Sequence, residues 1–147
     1  MYMNPDSCRT LIVIGDRMAK NKKEYIGLYR KVREMINIFL YIGITTFVIS
    51  EYNEVGKMIV EVLRRHKRKD INIEFFDNHP ALNDLNPMPL GEPENMYIGI
   101  KGFQYDPQYM MSQACFFFFI TEEVKPNSLT YIINRKAQQE GKRVYTI

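Results

Sequence analysis

The sequence has few residues that could build a metal site or a structural disulfide. It contains two cysteines and two histidines in 147 residues, with no Cys-x-x-Cys motif and with Cys8 far from Cys115 in the chain. This argues against a zinc site and against a secreted disulfide scaffold. The longest apolar run, from Ala114 to Ile120, is too short to cross a bilayer. No signal peptide is expected, because Asn4-Pro5-Asp6 interrupts the N-terminus before any apolar run. We therefore expect a cytoplasmic protein without metal or membrane association.

Neither the apolar content nor the charge of the chain is extreme. Hydrophobic residues make up 46% and charged residues 25%, which is ordinary for a globular protein. The formal net charge of +3 does not by itself suggest nucleic-acid binding. Cations cluster at 20–23 and at 64–69, and the second cluster falls at the end of a predicted helix. We expect those cations to complement the negative end of the helix dipole.

Short β-type runs alternate with amphipathic helices along the chain. Strands are predicted at 10–14, 45–49, 71–76, 115–120 and 143–147. Apolar residues at helical spacing predict helices that begin near Lys23, Asn53 and Ser128, and a short helix is predicted at 106–113. Alternating strands and helices indicate a parallel sheet with right-handed crossovers. The predicted fold class is α/β, a single Rossmann-like three-layer domain over residues 1–147 with a mostly parallel sheet of about five strands.

Residues 77–96 interrupt this alternation. The segment is rich in proline and also holds several Asn and Asp residues, so it is predicted to be a loop insertion. A loop of this length inside a compact domain is often functional or covers a site.

Ligands of such sheets bind beyond the carboxyl ends of the strands, where the strand order reverses. Gly15-Asp16-Arg17 follows the first strand directly. A glycine there lets the backbone approach a ligand, and Arg17 could pair with a phosphate through two hydrogen bonds. A plain strand-end turn with a surface arginine is the alternative, because no Gly-x-Gly-x-x-Gly motif is present.

A second candidate segment links the fourth predicted strand to the last helix. The free N–H groups of a helix start attract anions, and this segment adds a cation and polar side chains: Lys125, Asn127, Ser128 and Thr130. Ordinary capping of the helix by Asn127 or Ser128 explains the same residues and is compatible with ligand binding.

The third candidate segment follows the second strand and comprises Ser50, Glu51, Tyr52 and Asn53. Its polar side chains could contact a ribose or a base edge, and Tyr52 could stack on a base. The helix dipole favours a simpler interpretation, in which these residues start a helix whose first turn is acidic.

The order of these segments resembles the SLOG superfamily, the Rossmann-like group that contains LOG phosphoribohydrolases, DprA-like and YpsA-like proteins and sensor domains of antiviral systems. The strand that ends in Gly15-Asp16-Arg17 is similar to the family's strand-Gly-x-Arg start. The end of the chain is also similar, with a Ser/Thr-bearing loop, a helix containing Ala137, then Gly141-Lys142-Arg143-Val144 and a final strand.

The resemblance implies a binding protein rather than an enzyme. LOG-type hydrolases carry a Gly-Thr-x-x-Glu pattern whose Glu acts on the glycosidic bond, and if Thr130 corresponds to that Thr, Ile133 stands in place of the Glu. Glycoside chemistry requires carboxylates. We therefore expect non-catalytic binding of a nucleotide-derived small molecule, of the ADP-ribose or cyclic-nucleotide type, without a cofactor. Sequestration of a defence signal and assembly into a homo-oligomer are further expectations from the resemblance.

Two other functions remain open from the sequence. One is an N-glycosidase or phosphoribohydrolase-like enzyme that uses Glu51, Glu54 or Glu122 from an unusual position. The other, less favoured, is DprA-like binding of single-stranded DNA through the cations at 64–69.

Overall fold

The computed structural model describes residues 5–50, 53–66, 68, 70–76, 96–101, 106–121, 126 and 128–147. The strands are β1 (Thr10–Gly15), β2 (Thr46–Ile49), β3 (Ile71–Phe76), β4 (Met96–Lys101), β5 (Phe116–Ile120) and β6 (Arg143–Thr146). They form one sheet in the order β4-β3-β2-β1-β5-β6, and every neighbouring pair is parallel. Five of these strands agree with the sequence prediction to within one residue at each end.

Helices cover both faces of this sheet. The helices are α1 (Lys22–Tyr41), α2 (Glu54–Arg64), α3 (Pro107–Gln113) and α4 (Leu129–Gln139). The buried stripes of α1 and α2 pack in one cluster with Leu11 and Val13 of β1. Met110 of α3 and Ile133 of α4 pack in a second cluster with Ile12. The predicted three-layer α/β class is therefore confirmed. Among the described residues, no helix combines the length and apolar character needed to span a bilayer.

The four consecutive phenylalanines of β5 reflect burial on both faces of the sheet. Phe118 lies on the α1 side, with its ring centroid 5.3 Å from that of Phe39. Phe117 and Phe119 lie on the α4 side, with ring centroids 6.4 Å apart. All three are fully buried. A strand inside a parallel sheet is covered by helices on both faces, so it needs no polar residue in alternate positions.

The sheet has one strand more than the five predicted from the sequence, and this additional strand is β4. It pairs in parallel with β3, with Ile98 opposite Ile73 and Ile100 opposite Phe75. The predicted loop insertion at 77–96 lies outside the described residues, except for Met96, which begins β4.

Candidate ligand site

The strand order reverses between β1 and β5. After β1 the chain passes through α1 to β2 on one side, and after β5 it passes through α4 to β6 on the other side. Gly15 at the end of β1 lies opposite Ile120 at the end of β5. The loops after these two strands therefore leave the same edge of the sheet from adjacent positions. In open α/β sheets this is the place where ligands bind.

Two consecutive amides tie the loop after β1 to the end of β5. The backbone N–H groups of Asp16 and Arg17 both donate to the carbonyl oxygen of Ile120, at 3.1 and 3.2 Å. Asp16 is exposed and Arg17 is half-buried. These two amides are used within the protein, so the side chain of Arg17 is the group in this turn that could meet a ligand.

Gly15 is required by the packing of α2 against the sheet. A Cβ atom on Gly15 would stand 2.9 Å from Cγ1 of Val55 and 3.4 Å from Cβ of Ile120. The space left by the missing side chain is thus filled by protein atoms. Close helix packing accounts for this glycine without a ligand.

Asn53 holds the start of α2 against the end of β1. Its Nδ2 donates to the carbonyl oxygen of Gly15 at 2.6 Å, and its Oδ1 accepts from the N–H of Gly56 at 3.0 Å. Ser50 is buried, and its N–H donates to the carbonyl oxygen of Val13 at 3.0 Å. Two of the four predicted residues in this segment are therefore placed beside β1, whereas Glu51 and Tyr52 lie outside the described residues.

Ser128, one of the two capping residues that the sequence predicts, caps α4. Its Oγ accepts from the N–H of Tyr131 at 3.1 Å, and Thr130 lies half-buried in the first turn. Lys125 and Asn127 lie outside the described residues. Ile133 is fully buried in the cluster on the α4 face of the sheet, together with Phe117. Ile133 is therefore a core residue.

Two side chains form hydrogen bonds with backbone N–H groups at the start of α1. Oδ1 of Asn21 accepts from the N–H of Glu24 at 2.9 Å, and the Glu24 carboxylate accepts from the N–H of Lys20 at 2.7 Å. Farther along α1, burial raises the pKa of the Tyr25 hydroxyl, and the carboxylates of Glu61 and Glu54 on α2 raise it further. The Tyr25 hydroxyl on α1 therefore lies in the field of two carboxylates of α2.

Two of the cations near the end of α2, Arg65 and Arg68, have partners within the protein. Arg65 pairs with Glu61 at 2.8 Å. The Arg68 guanidinium donates to both oxygens of Asp70, at 3.0 and 2.6 Å, and to the carbonyl oxygen of Leu40 at 3.1 Å. These bonds lower the pKa of Asp70 and raise that of Arg68. Arg68 thus supports the end of α1, which accounts for it without a nucleic acid.

A surface groove of about 380 Å³ lies along α4 and was not singled out from the sequence. Its described lining residues are Tyr131, Asn134, Arg135 and Gln138. Arg135 donates to the Tyr131 hydroxyl at 3.0 Å, and Gln138 donates to Asn134 at 2.6 Å. The helical spacing of these polar residues is the feature of the sequence from which the groove could have been predicted. Both bonds run between residues of the same helix, so they fix the side chains that line the groove.

No family model, curated protein or solved structure matches this chain. Within the described part of the chain, no three His, Cys, Asp or Glu side chains are grouped so that they could hold a metal ion. The candidate ligand site is the reversal point of the sheet, between the ends of β1 and β5.

Proposed function

We propose that this chain binds a nucleotide-derived small molecule, of the ADP-ribose or cyclic-nucleotide type, at the reversal point between β1 and β5. The observation that carries the proposal is the pair of bonds from Asp16 and Arg17 to Ile120. These bonds hold the loop after β1 against the end of β5. Arg17 therefore lies beside the strand from which the chain continues to α4.

Arg17 supplies the charge that this proposal needs. Within the described part of the chain, the Arg17 guanidinium forms no ion pair with a carboxylate. A guanidinium matches the geometry of a phosphate and can form two parallel hydrogen bonds with it. The half-buried position of Arg17 lowers the competition from water that weakens exposed ion pairs.

The start of α4 supplies the second element. The first amides of a helix lack intrahelical acceptors, and the helix dipole places partial positive charge there. Ser128 satisfies the amide of Tyr131, and the remaining first-turn amides together with the Thr130 hydroxyl are available donors for a phosphate in the proposal. Lys125, Asn127 and Tyr52 complete the proposed site as sequence predictions.

The proposal includes no chemical step. If Thr130 corresponds to the family's threonine, the catalytic carboxylate position holds Ile133, whose side chain lies in the core and cannot stabilise an oxocarbenium-like charge. From the resemblance to the SLOG superfamily we also propose a homo-oligomer in the cytoplasm that sequesters its ligand.

The test begins with native mass spectrometry of protein purified from cells, followed by denaturation and identification of any released small molecule. Titration calorimetry with ADP-ribose, AMP and cyclic nucleotides then measures affinity. We expect Arg17→Ala to weaken binding by roughly tenfold or more, because charge-assisted hydrogen bonds are lost.

Arg33→Ala is the matched control, because it removes the same charge from an exposed position on α1 and should leave affinity unchanged. Equal affinity of Arg17→Ala and the unmodified protein would overturn the proposed site. Release of a free base during incubation with nucleoside monophosphates or NAD would overturn the absence of catalysis and favour the N-glycosidase alternative.

A further inference from the structure

The fold brings the two cysteines of the chain together. Sγ of Cys8 lies 3.7 Å from Sγ of Cys115, although 107 positions separate the two residues. Cys8 belongs to the short 3-10 turn Ser7–Arg9, which leads into β1, and Cys115 directly precedes β5. Both are free thiols. Because β1 and β5 are adjacent and parallel, the residues before them meet at the amino edge of the sheet.

Backbone hydrogen bonds fix the two cysteine segments relative to each other. The N–H of Cys115 donates to the carbonyl oxygen of Ser7 at 3.0 Å, and the carbonyl oxygen of Cys115 accepts from the N–H of Arg143 at 2.9 Å. The turn itself is closed by a bond from the N–H of Arg9 to the carbonyl oxygen of Asp6 at 3.0 Å. The proximity of the thiols therefore follows from the backbone rather than from two loose side chains.

The two thiols differ in their access to solvent. Cys8 is exposed and Cys115 is half-buried, with its Sγ 3.6 Å from the Ser7 hydroxyl. A disulfide has a sulfur–sulfur bond of about 2.05 Å, so the two sulfurs must move closer together before the bond can form. An exposed thiol beside a protected one is the arrangement in which the first reacts with an oxidant and the second resolves the product.

We propose that Cys8 and Cys115 form a reversible disulfide by exchange with a small-molecule disulfide such as oxidised glutathione. The Cys8 thiolate attacks one sulfur of oxidised glutathione, which forms a mixed disulfide and expels one glutathione thiolate. The Cys115 thiolate then attacks the Cys8 sulfur, and the bond to the second glutathione breaks. The two protein thiols lose two protons and two electrons, which leave with two molecules of reduced glutathione.

The disulfide joins the turn before β1 to the residue before β5, at the edge of the sheet opposite to the ligand site. It closes a loop that contains β1 to β4 and α1 to α3. Closing so long a loop restricts the unfolded chain much more than the folded one. Oxidation is therefore expected to stabilise the folded protein, and the outcome does not depend on the proposed ligand.

The experiment equilibrates the purified protein in glutathione buffers of increasing oxidised fraction, alkylates the remaining thiols and measures the intact mass. The expected oxidised product lacks two hydrogen atoms, carries no alkyl group and yields a proteolytic fragment that links Cys8 to Cys115. Dithiothreitol should restore both thiols. We expect the oxidised protein to unfold at a temperature roughly 5–10 °C above that of the reduced protein.

Two single variants separate disulfide formation from general thiol reactivity. Cys115→Ser should stop at the mixed disulfide and gain the mass of one glutathione, because no thiol resolves it. Cys8→Ser should react more slowly, since only the half-buried thiol remains. The proposal is overturned if the unmodified protein stays a dithiol at every glutathione ratio, or if it accumulates mixed disulfides on both cysteines.

Discussion

The side-chain amide of Asn53 joins the end of β1 to the start of α2. Its Nδ2 lies 2.6 Å from the carbonyl oxygen of Gly15, 38 positions away in the sequence, while its Oδ1 lies 3.0 Å from the backbone nitrogen of Gly56. One side chain thus satisfies a strand carbonyl and a first-turn helix amide together. The edge of the sheet that carries the proposed ligand site depends on this bridge for its shape.

Asn53→Ala should lower the free energy of unfolding by about 1–2 kcal/mol, because it removes both the helix cap and the bond to Gly15. Urea unfolding followed by circular dichroism measures this change. Asn53→Asp keeps the capping oxygen and loses only the amide donor, so its stability should fall between the other two proteins. An alanine variant as stable as the unmodified protein would contradict the bridging role.

Gly15→Ala should destabilise the protein by about 1–3 kcal/mol, because the added methyl group meets Cγ1 of Val55. Val55→Ala removes that atom and costs stability by itself, since Val55 is buried. The double variant should be more stable than the sum of the two single effects predicts, which a double-mutant cycle in urea measures. Strict additivity would show that the contact with Val55 does not restrict this position.

Gly27→Ala should raise the free energy of unfolding by about 0.5–1 kcal/mol. Gly27 lies within α1, exposed, with no atom within 4 Å of the site that a Cβ would occupy, and alanine favours helix over glycine. Gly43→Ala is the contrasting variant, because Gly43 follows α1 with a φ of +106° that favours glycine. That substitution should lower the melting temperature, whereas Gly27→Ala should raise it. Scanning calorimetry measures the melting temperatures of both variants.

Asp70→Asn should cost less than about 1 kcal/mol at neutral pH, because the pair with Arg68 is largely exposed. The bond to Arg68 lowers the pKa of Asp70 from its usual 3.8. The stabilisation by the Asp70 carboxylate is therefore present above about pH 4 and is lost as the pH falls through the lowered pKa. The two proteins should converge in stability as the solution is acidified, which urea unfolding between neutral and acid pH measures. A constant difference would contradict this origin.

The sequence predicts most of the sheet because parallel strands that are buried on both faces consist of consecutive apolar residues. Ile12 and Val13 of β1 point to opposite helix layers and are both buried. The strand is therefore apolar at successive positions, and this pattern can be identified from the sequence without knowing which strand pairs with it. β4 is different: its pattern contains Gly99 and follows the proline-rich segment. It becomes a strand through pairing with β3, which local propensity does not report.

The position of the candidate site in the fold could be predicted from the sequence, whereas most contacts between its residues could not. Ser128 lies where helix-capping chemistry predicts it, because a cap is a local interaction. The contact of Gly15 with Val55 depends on how closely α2 packs on β1, and the proximity of Cys8 to Cys115 depends on the adjacency of β1 and β5. Both are long-range properties that no short motif encodes.

The position of β1 between β2 and β5 has a consequence for biosynthesis. As the chain emerges from the ribosome, β2 can pair with β1 early, whereas β5 is translated only after β4 and α3. Until Phe116–Ile120 has emerged, one edge of β1 has no strand beside it, and Ile12 lacks the cover of α4. An open apolar edge of this kind invites pairing with other nascent chains. β5 and α4 therefore protect β1, and release of a chain that stops before Phe116 would leave an aggregation-prone product.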